Sequence, residues 1–195
     1  MKHPLEERLE TFLALLQRWN ARINLVADRD PATLRHRHIE DSLQLVPLIP
    51  RGDGPLLDLG SGAGFPGLIL AAATERETHL IEADRRKAAF LTEAARALAL
   101  PRVTVHAVRI EAATPPKAAV LTARALAPLP ELLRHAHRLL APGGIALFPK
   151  GRSAADELTA AARDWTMQVE RFASRTDPAA TILRLSEIHP AGVHA

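Results

Sequence analysis

Three glycines within five residues, Gly60, Gly62 and Gly64, follow the apolar run Leu56-Leu57-Asp58-Leu59 and lead into the apolar stretch Phe65 to Ala73. An apolar strand, a glycine turn and a helix in that order are compatible with few folds. Glycine takes left-handed dihedrals without a Cβ penalty and leaves the backbone open to a ligand. The arrangement begins an α/β unit whose turn can sit against a nucleotide.

Strand and helix patterns keep alternating after the turn. Strands are expected at Pro55 to Leu59, Thr78 to Glu82, Val103 to Ala107, Ala118 to Ala123 and Ile145 to Phe148. Helices are expected at Phe65 to Ala73, Arg85 to Leu98, Leu129 to Leu140 and Ala154 to Arg163, the third stopped by Pro142-Gly143-Gly144. Thr166 to Phe172 and Thr181 to Leu185 read as a closing antiparallel hairpin. The pattern predicts an α/β fold, a mostly parallel sheet with helices on both faces. Residues Pro190 to Ala195 are expected to fray.

Ahead of this unit, Leu5, Leu9, Phe12, Leu13, Leu16 and Trp19 recur at steps of three and four, the mark of an amphipathic helix over Leu5 to Val26. Asp30 and Pro31 suit the N-cap and first turn of a second helix that runs to Val46. Pro47 and Pro50 close it, and residues 51–55 read as a linker. The expected organisation is a short N-terminal helical appendage over residues 1–50, packed on one catalytic domain over residues 51–195.

The 195 residues suffice for one full core. No apolar run approaches the roughly 18 residues of a membrane helix, and the charged stretch Met1 to Glu10 has no signal-peptide core. No membrane partner, a cytoplasmic location and a monomer are expected. The absence of cysteine excludes disulfides and thiolate metal sites. His36 and His38, like His135 and His137, are spaced by two and point to different sides of a helix, so no metal site is expected.

The net charge of +3 is unevenly spread. Asp84 to Arg109 carries six basic and two acidic residues, and Val120 to Arg152 carries five and one. Clusters of this kind can meet phosphates. The candidates are Arg85, Arg86, Lys87, Arg134, Arg138, Lys150 and Arg152; the competing reading is a set of solvated helix faces. With five Phe, two Trp and no Tyr, a base-stacking platform is not expected.

Two ligands compete for the glycine turn. Gly62-x-Gly64-x-x-Gly67, with Glu82 twenty residues after Gly62, also fits a dinucleotide fingerprint. Asp58 opposes that reading, because a carboxylate just ahead of the turn repels a pyrophosphate. S-adenosylmethionine carries no phosphate, and its ammonium group favours a nearby acid. The chain also has no room for a separate hydride-transfer domain. These points favour the sulfonium cofactor without removing the dinucleotide. In either case Glu82 can accept hydrogen bonds from ribose hydroxyls, and Ile110 and Glu111 follow the third strand, where a base would lie.

His38, Asp41 and Ser42 lie at i, i+3 and i+4, on one face of the second helix. They could suggest a hydrolase triad. No oxyanion turn accompanies them, and the expectation is a structural brace between that helix and the glycine turn.

Taken in order, the motifs resemble one family. They are Trp19-Asn20 with Asn24-Leu25, His38-Ile39-Glu40-Asp41-Ser42-Leu43, and the run from Asp58 to Gly67 with its Gly64-Phe65-Pro66-Gly67 ending. Leu80-Ile81-Glu82, Phe90-Leu91, Val108-Arg109-Ile110-Glu111, Ala123-Arg124-Ala125 and Lys150-Gly151 complete the set. The chain resembles the RsmG (GidB) family of bacterial small-subunit rRNA guanine-N7 methyltransferases. It departs from the usual pattern in having Arg86-Lys87 where a lysine pair is usual, and in a compact N-terminus. The resemblance implies a Rossmann-like class I methyltransferase fold and S-adenosylmethionine as cofactor. It implies cofactor contacts at Gly60, Phe65, Ile110, Glu111 and Arg124. The general methyltransferase fold adds Gly62, Gly64 and Glu82, beside Asp58. The implied acceptor is N7 of a guanine of 16S rRNA, guanine 527 in the usual rRNA numbering, within the small ribosomal subunit. Guanine N7 has a free lone pair, so no catalytic acid or base is required. Arg124 is then a positioning candidate, its planar fork suited to a cofactor carboxylate or an RNA phosphate.

Overall fold

Strand β1 (Leu56–Leu59) is buried at every position, as expected of a central strand with neighbours on both edges and helices on both faces. The computed structural model describes residues 5–192. Around β1 lie β2 (Thr78–Ile81), β3 (Val103–His106), β4 (Ala118–Ala123), β5 (Leu140–Lys150), β6 (Trp165–Ala173) and β7 (Thr181–Pro190). They form one seven-stranded sheet in the order β3-β2-β1-β4-β5-β7-β6. The first five strands pair in parallel, and β7 pairs antiparallel with both β5 and β6.

The helices are α1 (Leu5–Asn20), α2 (Pro31–Leu34), α3 (Asp41–Leu43), α4 (Gly67–Thr74), α5 (Arg85–Ala97), α6 (Leu129–Leu139) and α7 (Ala154–Ala161). Alternate residues of β1 face opposite layers. Leu57 and Leu59 join the core that holds Leu132, Leu133 and Phe148 on the α6 side. Asp58 faces α4, where a Cβ on Gly67 would stand 2.5 Å from the Asp58 Cβ. Only glycine lets this helix start so close to the strand.

The N-terminal helices are an added layer on that second face. Leu9, Phe12, Leu13 and Leu16 share one core with Phe65, Leu68, Phe90 and Leu91. The Trp19 indole N–H donates to Glu93 of α5 at 3.1 Å. Arg8, 8% exposed, donates to the Ala72 carbonyl and pairs with Glu75 at the end of α4.

The structure adjusts several boundaries. Helix α1 stops at Asn20 rather than Val26, because the Asn20 side chain accepts from Leu25 N–H and Val26 N–H and donates to the Val26 carbonyl, tying a loop. The second helix is capped as expected, with Asp30 accepting from Thr33 N–H at 2.8 Å. Its middle, Arg35–Glu40, widens into a π-helical stretch. Helix α6 passes directly into β5 at Leu140, so Pro142-Gly143-Gly144 lies inside the strand at a register shift against β4 and does not stop a helix. Strand β7 extends to Pro190, so the expected fraying does not begin there, and residues 193–195 lie outside the described residues.

Candidate functional site

Chain order reverses between β1 and β4, which are neighbours in the sheet although β2 and β3 intervene in sequence. Ligands of open α/β sheets bind outside the carboxyl ends of the strands at such a point. Here the glycine turn leaves β1 and residues 124–128 leave β4. Gly60, Gly62 and Gly64 all have positive φ, 64°, 54° and 88°.

A cleft of about 390 Å³ opens over this turn. Gly60 and Gly62 form one part of its wall, Glu82 and Lys87 another, and Ile110, Glu111, Leu126 and His135 are among the other lining residues. The Glu82 carboxylate accepts from Gly62 N–H at 2.8 Å and from Asp84 N–H at 2.7 Å. It thereby joins the turn after β1 to the turn after β2. Asp84 in turn caps α5, accepting from Arg86 N–H at 2.8 Å, and that bonding with Arg86 holds its carboxyl below the usual range.

The lining fits a sulfonium nucleoside better than a dinucleotide. Val108 and Leu126, two of the large apolar side chains left most exposed, both line this cleft. They offer apolar surface to a flat base. Glu82, Glu111 and Glu131 line it as well, against Lys87 and Arg109. Three carboxylates repel a pyrophosphate and attract a cationic ligand.

Asp58 does not line this cleft. It is 1% exposed beneath the turn, where Thr122 Oγ1 donates to its Oδ1 at 2.7 Å and Oδ2 lies against Gly67. Burial pushes its carboxyl up to about 6, against the lowering effect of the Thr122 bond. Asp58, expected among the cofactor-binding residues, lies beneath the turn and shapes it from below. Phe65 and Gly64 also sit inside the fold. Phe65 is 5% exposed and meets Phe12 edge-on at 5.3 Å.

A larger cavity, about 690 Å³, adjoins the first. Leu126 and Ala127 line both cavities. Its other walls include Arg37, His38 and Asp41 before the sheet, Arg124 after β4, Lys150 at the end of β5 with Gly151 after it, and Thr176 and Asp177 between β6 and β7. Of the three residues expected to brace the glycine turn, His38 meets it at Phe65, Asp41 meets Arg124 instead, and Ser42 bonds within its own helix. Arg124 pairs with Asp41 at 3.3 Å and lies over the Phe65 ring at 5.3 Å. The His38 ring stacks on Phe65 at 4.9 Å. Ser42 Oγ donates to the His38 carbonyl at 2.6 Å. His38 Nε2 stands 3.3 Å from Asp28 Oδ2, an ion-pair distance without hydrogen-bond alignment, and its Nδ1 has no hydrogen-bond partner among the described residues. Burial first, and the Arg124 charge second, push the His38 imidazole down, so it is neutral at physiological pH.

The basic candidates divide into two groups. Lys150 is only 10% exposed and pairs with Glu157 at 2.8 Å while donating to the Ala127 carbonyl, so it holds the wall of the larger cavity. Arg138 donates to the carbonyls of Ile110 and Ala113. Lys87 lies on the smaller cleft. Arg86 is exposed and paired with Asp84. Arg85, Arg134 and Arg152 are exposed on the surface.

Sequence reasoning did not single out Leu126 and Ala127, the shared wall, nor Thr176 and Asp177. No motif marks them. The signal available was position alone, at the carboxyl ends of β4 and of the β6–β7 hairpin.

Fold and cleft together define a Rossmann-like class I methyltransferase, whose methyl donor is S-adenosylmethionine. A family model described as GidB, rRNA small subunit methyltransferase G, matches residues 5–179, and the chain belongs to that family. A Ribosomal RNA small subunit methyltransferase G of Rhodospirillum centenum is 57% identical over 187 residues, covering 96% of this chain and 86% of that one. The protein of the same name from Granulibacter bethesdensis is 58% identical over 182 residues, covering 93% and 85%. Among solved structures, an O-methyltransferase from Bacillus cereus in complex with SAH superimposes with a TM-score of 0.62 at 15% identity, covering 91% of each chain. That likeness concerns the fold. Among the described residues, no helix is long and apolar enough to cross a membrane.

Proposed function

We propose that this chain transfers the methyl group of S-adenosylmethionine to N7 of a guanine in 16S rRNA, within the small ribosomal subunit. The observation that carries the reading is the pair of cavities joined at Leu126 and Ala127, one suited to the cofactor and the other open to an acceptor base. The names of the relatives supply rRNA as the class of acceptor. The family resemblance supplies N7 and the position, guanine 527.

S-adenosylmethionine supplies an electrophilic methyl on a cationic sulfur. When bound it would give up that methyl with its sulfur leaving as the neutral thioether, and the acceptor N7, with a free lone pair, has no proton to lose, so this chain's residues act by alignment and electrostatics. The methylated base becomes cationic. The walls of the larger cavity suit that change: the Arg124 charge is offset by Asp41, the Lys150 charge by Glu157, and His38 is neutral. Arg124 acts as a positioning residue between the cavities. Glu82, Gly60, Gly62, Ile110 and Glu111 hold the nucleoside. Exposed Arg85, Arg134 and Arg152 meet RNA phosphates. A monomer acting in the cytoplasm is the simplest state consistent with this reading.

The test is incubation of the protein with labelled S-adenosylmethionine and small subunits from a strain lacking the modification. Label at N7 of one 16S guanine supports the reading. Label at another atom or in protein, or no label at all, overturns it.

A further inference from the structure

Of the carboxylates that line the larger cavity, one keeps an oxygen that no protein donor occupies among the described residues. Asp41 is occupied by Arg124 at 3.3 Å, Thr176 Oγ1 at 2.7 Å and Gln44 Nε2 at 2.8 Å. Glu157 is occupied by Lys150 at 2.8 Å, Ser153 at 2.7 Å and Leu129 N–H at 2.7 Å. Asp177 differs. Its Oδ1 accepts from Ala179 N–H at 2.9 Å, and no hydrogen-bond donor meets its Oδ2 among the described residues. It is exposed and lines the cavity.

The loop that carries Asp177 is held in place. Gln44 accepts from Arg175 N–H at 2.8 Å and donates to Ser174 and Thr176. Asp177 N–H donates to Ser174 Oγ at 3.3 Å, and its carbonyl accepts from Ala180 N–H at 3.0 Å. A carboxylate fixed in this way loses little freedom when it receives a ligand.

Its place in the sheet gives it a direction. Moving away from the cofactor cleft, the carboxyl ends run β1, β4, β5, and then the β6–β7 loop. A guanine whose N7 faces the cofactor across Leu126 and Ala127 turns its six-membered ring outward. The far edge of that ring carries N1–H and the 2-amino group, both donors. Adenine offers a bare N1 lone pair at the same edge, which a carboxylate repels.

We propose that Asp177 is a specificity-determining residue that accepts hydrogen bonds from N1–H and the 2-amino group of the acceptor guanine. The proposal rests on the guanine-N7 reading above. A site built to hydrogen-bond a polar group rejects the analogue that lacks it.

The test compares wild type with Asp177→Ala and Asp177→Asn. The substrates are small subunits assembled with 16S rRNA carrying guanine or hypoxanthine, which lacks the 2-amino group, at the target. Wild type is expected to prefer guanine by about tenfold or more. Asp177→Ala is expected to lose about tenfold to a hundredfold in kcat/KM on guanine and to bring the guanine-to-hypoxanthine ratio close to one. Asp177→Asn, which keeps one acceptor, falls between them. S-adenosylmethionine affinity stays within about twofold throughout, which shows that the fold is intact. An unchanged ratio in Asp177→Ala overturns the proposal even if the rate falls, because a loop-ordering role alone would then explain the slower reaction. A wild type that labels no guanine N7 overturns the underlying reading, and this one with it.

Discussion

Arg124 and Asp41 form an ion pair at 3.3 Å between half-buried side chains, 21% and 17% exposed, joining the end of β4 to the N-terminal helices. Arg124 also donates to the Arg37 carbonyl and lies over Phe65. The pair therefore clamps the α2–α3 segment to the wall of the larger cavity. Arg124→Ala leaves Asp41 without its cation in a partly desolvated place, at a cost on the order of 1–3 kcal/mol after solvent screening. Turnover is expected to fall more than tenfold and the melting temperature by several degrees. Unchanged turnover, cofactor affinity and RNA affinity would remove Arg124 from the site.

Glu82 holds two backbone N–H groups, from Gly62 and Asp84, and lines the smaller cleft, proposed above for the cofactor. Glu82→Ala removes both bonds and the acceptor for ribose hydroxyls. S-adenosylmethionine affinity is expected to drop at least tenfold, since hydrogen bonds to a charged group contribute about 1.5–3 kcal/mol. Titration calorimetry measures this directly, and an affinity within twofold of wild type would contradict the role.

Asp58 makes stability depend on pH. Its carboxyl rises from 3.8 to about 6 in the folded chain because burial disfavours the charge. Between those two values the folded state keeps a proton that the unfolded state has released, so stability declines as pH rises through that window. The penalty is absent below 3.8 and complete above about 6, on the order of 3 kcal/mol. Asp58→Asn has no such titration. The stability of wild type relative to Asp58→Asn, measured by urea unfolding from pH 4 to 7, is expected to be most favourable at the acid end. A difference that does not vary with pH would contradict the buried-carboxylate account.

Arg85, Arg134 and Arg152 are exposed arginines of the two basic segments. Replacing all three by Ser is expected to weaken subunit binding and to flatten its salt dependence, by about one unit of slope for each phosphate that is no longer neutralised. S-adenosylmethionine binding should be untouched. A salt slope equal to that of wild type would assign these residues to a solvated face.

Much of the fold is legible in the sequence because it rests on local rules. The glycine turn, the Asp30 cap and the strand–helix alternation each depend on neighbours along the chain. The end of α1 at Asn20 is not legible, because a side chain closes that loop with bonds that resemble ordinary backbone ones. Pro142-Gly143-Gly144 has the composition of a helix stop, yet it bulges inside β5, where pairing with β4 resumes after the shift. Of the site, Glu82, Gly60, Gly62, Ile110 and Glu111 are legible from spacing and resemblance and do line the cleft. Asp58 and Phe65 belong to the same motif but support the turn from inside.

By itself the sequence determined an α/β fold with a nucleotide-binding turn between Leu59 and Gly67, because that turn is built from consecutive residues whose dihedrals and lack of Cβ are written locally, and the ordered motifs of one family then narrowed its ligand to S-adenosylmethionine. Only the tertiary structure decided the larger cavity beside it. Gln44 meets Ser174 across 130 residues and Asp41 meets Arg124 across 83. Such contacts are set by the order of strands in the sheet, which brings together the ends of β4, β5 and the β6–β7 hairpin, and no spacing along the chain encodes that meeting.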